Sequence, residues 1–94
     1  SKEVIRRVIT RRRAQFRFCY ENVLQRRPDL EGRVAIQFVI SPTGKVLSAK
    51  VERSSINNAE VEQCVVKQVR MLSFPQPDGG GIVSVTYPFV FQQT

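Results

Sequence analysis

Val4, Ile5, Val8, Ile9, Phe16, Cys19, Tyr20, Val23 and Leu24 recur at steps of three and four. That spacing places apolar side chains on one stripe of an amphipathic helix, and it predicts a helix from about Lys2 to Arg26. The helix should end before Pro28, which disfavours helical geometry at Arg27. The stripe lapses at Arg11-Arg12-Arg13. The half after this lapse is expected to pack on a core, and the half before Arg13 to project from it.

From Arg33 to Ser41 the period changes to two, with Val34, Ile36, Phe38 and Ile40 on one face and Ala35, Gln37 and Val39 on the other, as in a half-buried strand. Ser41-Pro42-Thr43-Gly44 predicts a turn: proline presets the dihedral at the second position, and glycine accepts a positive one at the fourth. A second strand from Lys45 to Arg53 completes a hairpin, with Leu47, Ala49 and Val51 expected inward. Asn57 with Glu60 three residues on resembles a helix start. Val61, Cys64, Val65, Val69 and Leu72 line one face of the predicted helix, which stops before Pro75. Phe74 to Gly81 forms a loop rich in proline and glycine. In the last strand, from Ile82 to Phe91, Val83, Val85, Tyr87, Phe89 and Phe91 alternate with Ser84, Thr86 and Pro88.

These elements predict an α+β fold, a two-layer sandwich in the order α-β-β-α-β. Its three-stranded sheet, antiparallel or mixed, carries two helices on one face. A right-handed crossover through the second helix puts the third strand parallel to the second, with the first between them. The second and third strands are then edges. Pro88 fits an edge, because a residue without N–H is tolerated where that position faces away from the neighbouring strand. Since backbone groups alternate sides, Ile82, Ser84 and Thr86 would face outward as well.

Ninety-four residues suffice for one modest core. No apolar run approaches the ~18 residues of a membrane span, and no signal-peptide pattern opens the chain. A helical pattern starting at Ser1 without an initiator Met is read as a piece of a longer protein whose anchor lies elsewhere. The net charge is +7, and residues 1–27, with nine Lys/Arg against two Asp/Glu, carry all of it. Histidine is absent and only Cys19 and Cys64 are available as thiols. These facts argue against a metal site, a cofactor and nucleophilic catalysis, and so against an enzyme. Gly79-Gly80-Gly81 precedes a strand, unlike a phosphate loop, which opens a helix.

Leu30-Glu31-Gly32-Arg33-Val34, Phe38, Pro42-Thr43-Gly44, Val46, Val51, Ser54-Ser55, Phe74-Pro75 and Val85-Thr86-Tyr87-Pro88-Phe89 together resemble the TonB C-terminal domain. Cys19-Tyr20-Glu21 and Cys64-Val65 are similar to the AgmX/PglI-type subgroup of envelope and gliding-motility proteins. The resemblance runs from about Phe16 to Phe91. It implies a periplasmic module on an inner-membrane-anchored protein that transmits energy or force without generating it. The implied partner is an outer-membrane or envelope protein with an extended segment, while an inner-membrane motor complex would engage the rest of the chain. Residues 14–94 would form the domain, and 1–13 a basic helical extension or linker.

Cys19 and Cys64 are then either two small buried side chains or, in an oxidising compartment, a disulfide between the two helices. Arg6, Arg7, Arg11, Arg12 and Arg13 are either a solvated face or a contact for an anionic surface. Nucleic acid is the third option for this basic helix, but the sheet lacks the aromatic platform and the Gly-x-x-Gly clamp of small RNA-binding folds. For a protein partner the expected site is the edge formed by Ile82, Val83, Ser84, Val85 and Thr86, used by strand addition.

Overall fold

A computed structural model of the chain describes residues 1–93. Its elements are α1 (Lys2–Arg11), α2 (Arg13–Leu24), β1 (Gly32–Ile40), β2 (Val46–Ser54), α3 (Ala59–Arg70) and β3 (Val83–Phe91). The predicted first helix is thus two helices, and the order is α-α-β-β-α-β. The break falls at Arg12, within the arginine triplet where the apolar stripe lapses. There φ is −107° and ψ is 20°, and the carbonyl of Arg12 accepts the first hydrogen bonds of α2 from Gln15 and Phe16. Nor does α1 project away. Ile9 is only 5% exposed and joins the core, with Ile5 and Val8 packed against it.

The sheet order is β2-β1-β3, with both pairings antiparallel, so β3 runs parallel to β2 as the crossover requires. Val34, Ile36, Phe38 and Ile40 of β1 are all buried. The helices cover them with Val61, Val65 and Val69 of α3 and Phe16, Tyr20 and Val23 of α2. Aromatic pairs join α2 to β3: Phe16 lies 4.6 Å from Phe89, and Tyr20 stacks at 5.2 Å on Phe91. Cys19 of α2 and Cys64 of α3 form a disulfide, with Cα atoms 5.5 Å apart, that ties the two helices above the sheet.

On β2 the inward pattern departs from the simple alternation. Val39 pairs with Ser48 but Ile40 pairs with Val46, leaving Leu47 as an extra residue, and Glu52 is likewise skipped between Val51 and Arg53. These bulges shift the side-chain parity. Ala49 is buried and Val46 and Val51 pack against the core, while Leu47, expected inward, stands 60% exposed. The cap of α3 is also displaced by one residue: Asn58, not Asn57, accepts from Val61 N at 3.0 Å. Asn57 adopts a left-handed φ of 50° in the preceding turn.

The hairpin forms as its residues demand. Gly44 N donates to the Ser41 carbonyl at 2.9 Å, and Gly44 has a φ of +92°, open to glycine at little cost. A Cβ there would meet the Phe74 carbonyl oxygen, so the turn also requires glycine for its close approach to the segment after α3. The buried Ser41 hydroxyl accepts from the amides of Thr43 and Lys45, which fixes the turn against the core.

Tyr20 is fully buried and its hydroxyl donates to the Leu30 carbonyl, closing the α2–β1 connection. Burial, reinforced by the negative charge of Glu31 and opposed by Arg17, raises its pKa above the ordinary phenol value. The folded state thus holds the proton more tightly than the unfolded chain. The resulting stabilisation is complete below the unfolded pKa of about 10 and declines as pH rises above it. Tyr20→Phe leaves the buried carbonyl without its donor and should cost about 1–2 kcal/mol at neutral pH. Urea unfolding of both proteins at neutral and strongly alkaline pH checks this. The gap between them should narrow at alkaline pH, because only the parent carries the phenol.

Candidate partner-binding edge

Two edges are available, and their backbones differ. β2 is interrupted by the bulges at Leu47 and Glu52 and presents the exposed charges of Lys50 and Arg53. Bulges and charges are devices that blunt an edge against pairing. β3 keeps an unbroken register with β1, from Gly32 opposite Phe91 to Ile40 opposite Val83. It is therefore the better template for another strand.

Within β3 the direction of the backbone groups follows from Pro88, which sits opposite Ala35. Having no N–H, Pro88 suits a position whose backbone points away from β1. Alternation then turns the N–H groups of Ser84 and Thr86 outward too, along with that of Val90. Val90 lies beyond the Ile82–Thr86 stretch expected from the sequence. Ile82 precedes the strand and is exposed. The outward-facing side chains tie this edge to the rest of the sheet: Gln37 Nε2 donates to Ser84 Oγ at 2.8 Å, and Thr86 Oγ1 donates to Glu52 at 3.4 Å.

On the inner face, Phe89 and Phe91 are buried, but Val83, Val85 and Tyr87 are only half-covered. α1 lies alongside them and leaves a groove of about 690 Å³. One wall is formed by Lys2, Ile5 and Arg6 of α1, and the other by Val83 to Pro88. No pattern in the sequence announces this groove, since it depends on where the break at Arg12 directs α1.

The sequence-predicted arginines do not form one cluster. Arg6 is paired with Glu3 and faces the groove, and Arg7 is exposed. Arg11 and Arg12 sit at the break, beside Met71 and Leu72 at the end of α3. Arg13 lies beside Tyr87 to Phe91. No helix among the described residues is long and apolar enough to cross a membrane.

The family model for the C-terminal region of the Gram-negative bacterial TonB protein matches residues 24–92. In solution structures of the Helicobacter pylori TonB C-terminal domain, residues 179–285 superpose with a TM-score of 0.69 at 25% identity, covering 100% of this chain and 84% of that one. A shorter piece of the same protein, residues 194–285, gives a TM-score of 0.50 at 26% identity and covers 74% of each chain. The chain is also 31% identical over 90 residues to the tyrosine-protein kinase MasK of Myxococcus xanthus strain DK1622. That match takes in 96% of this chain but only 14% of MasK. TonB C-terminal domains are periplasmic, non-enzymatic modules that interact with envelope and outer-membrane proteins, and this chain, matched over most of its length, belongs to the TonB C-terminal domain family.

Proposed function

We propose that this domain captures an extended segment of an envelope or outer-membrane protein as a fourth strand on the free edge of β3, as the interaction module of an inner-membrane-anchored protein that transmits energy or force. The observation that carries this reading is the unbroken register of β3 beside the groove under α1, with Pro88 implying outward backbone groups at Ser84 and Thr86. Main-chain pairing supplies affinity, and alternate side chains of the added segment enter the groove and select its sequence. The apolar residues Ile5, Val83, Val85 and Tyr87 favour apolar side chains there. The placement in motility or in transport rests on the AgmX/PglI-type residues Cys19 to Glu21 and Cys64-Val65, and is part of the proposal.

Amide hydrogen exchange tests the edge directly. On partner binding, the N–H groups of Ser84 and Thr86 should be strongly protected while those of β2 stay unchanged; protection confined to β2 would reject the assignment.

The division between residues 1–13 and 14–94 belongs to the same proposal, with α1 an accessory wall of the groove on a domain that folds without it. Removing residues 1–13 exposes the surface under Ile9 and should lower stability by about 2 kcal/mol. Cooperative unfolding should persist in thermal melts of the 14–94 piece, while its partner affinity falls with the loss of the groove wall. A shapeless melt would place α1 inside the cooperative core.

A further inference from the structure

We propose that the outer face of the helical layer, away from the sheet and independent of the β3 edge, is a docking surface for anionic lipid. Two large apolar side chains stand in solvent there: Phe18 of α2, 64% exposed, and Met71 after α3, 56% exposed. They are neighbours along one seam. Phe18 shares a shallow depression with Gln15 and Gln68, and Met71, three residues beyond Gln68 and so on the same side of α3, shares the next depression with Arg11 and Arg12. Lys67, exposed and one turn before Met71, adds a third cation.

What makes the face selective is positive charge that no carboxylate neutralises. Of the eight carboxylates, five are engaged by other groups and three lie in connecting segments. Glu3, Glu21 and Glu60 pair with Arg6, Arg17 and Arg26, and Glu62 and Glu52 bond Ser54 and Thr86. Asp29 and Glu31 lie between α2 and β1, and Asp78 between α3 and β3. Among the described residues, Arg11, Arg12 and Lys67 have no carboxylate within ion-pair distance. Unpaired cations around protruding apolar side chains suit a headgroup layer, where the charges meet phosphates and the apolar tips enter the acyl boundary. The depressions are small, about 250 and 190 Å³, against about 690 Å³ for the groove beside β3.

Each basic residue near an anionic membrane is worth roughly a fivefold change in affinity. The experiment is co-sedimentation of the chain with vesicles of phosphatidylcholine alone and of phosphatidylcholine with phosphatidylglycerol. The expected result is salt-sensitive binding to the anionic vesicles only. The triple variant Arg11→Gln, Arg12→Gln, Lys67→Gln should reduce it by about a hundredfold. The double variant Phe18→Ser, Met71→Ser, which alters only exposed side chains and whose fold is checked by melting, should reduce it by at least tenfold. Equal binding to neutral vesicles, or binding indifferent to either variant, would overturn the proposal. So would soluble polyglutamate or RNA binding as tightly with the same dependence on Phe18 and Met71, since the face would then serve an acidic macromolecule.

Discussion

Thr86→Pro and Ser84→Pro are each expected to lower partner affinity by one to two orders of magnitude while leaving the domain folded. Each removes one outward N–H from the β3 edge and sets a ring in its place. The partner carbonyl that would have accepted is left unpaired in the interface, a loss of about 1–3 kcal/mol, or roughly 5- to 150-fold in Kd. Folding should survive because the ladder to β1 uses the alternate residues, as Pro88 already demonstrates within the same strand. The inner face keeps its apolar residues, and the lost side-chain bonds to Gln37 and Glu52 lie on an exposed surface. Thr86→Ala separates the two contributions, since it removes the hydroxyl but keeps the amide and should bind like the parent. Titration calorimetry with the partner segment measures the affinities, and circular dichroism the fold. Normal binding by both proline variants would rule out strand addition at this edge.

Reduction of the Cys19–Cys64 bridge, or its replacement by serine at both positions, should produce the largest loss of stability. The bridge spans 45 residues of sequence, and closing a loop of that length in the unfolded chain is worth about 4 kcal/mol in the chain-entropy model. For a domain of this size, 1 kcal/mol moves Tm by roughly 4–8 °C, so a fall of about 15 °C or more is expected. The loss should be concentrated where α2 meets α3, because the sheet retains both ladders. Thermal melts with and without reductant check the magnitude, and intact mass under non-reducing conditions checks the bond. A melting temperature indifferent to reductant would show that the bridge does not stabilise the fold. Cys19 lies outside the segment matched by the family model, residues 24–92. The bridge therefore anchors the chain before this segment to α3 within it.

Elements whose signals are local were legible along the chain. β1 alternates without interruption, α3 carries its stripe from Val61 to Leu72, and Ser41 to Gly44 holds a turn through the preferences of proline and glycine. Pro88 marked an edge because the missing donor is a property of the residue itself. Elements that depend on partners were read less well. Leu47 was expected inward because strict alternation put it there, and the pairing of β2 with β1 inserted a bulge that turned it out. The half of the first helix before Arg13 was expected to project from the core, yet Ile9 is buried in it.

The sequence by itself determined the kinds of element, their order around the sheet and the confinement of net charge to residues 1–27, because periodicity, turn chemistry and charge are carried by residues within a few positions of one another. Only the tertiary structure decided that the first helix breaks at Arg12 and lies alongside β3, that the groove opens between them, and that Tyr20 closes on Leu30. It also set Arg11 and Arg12 beside Met71 and Leu72. These features join residues far apart in the chain, and their energies come from contacts that exist only once the layers have packed.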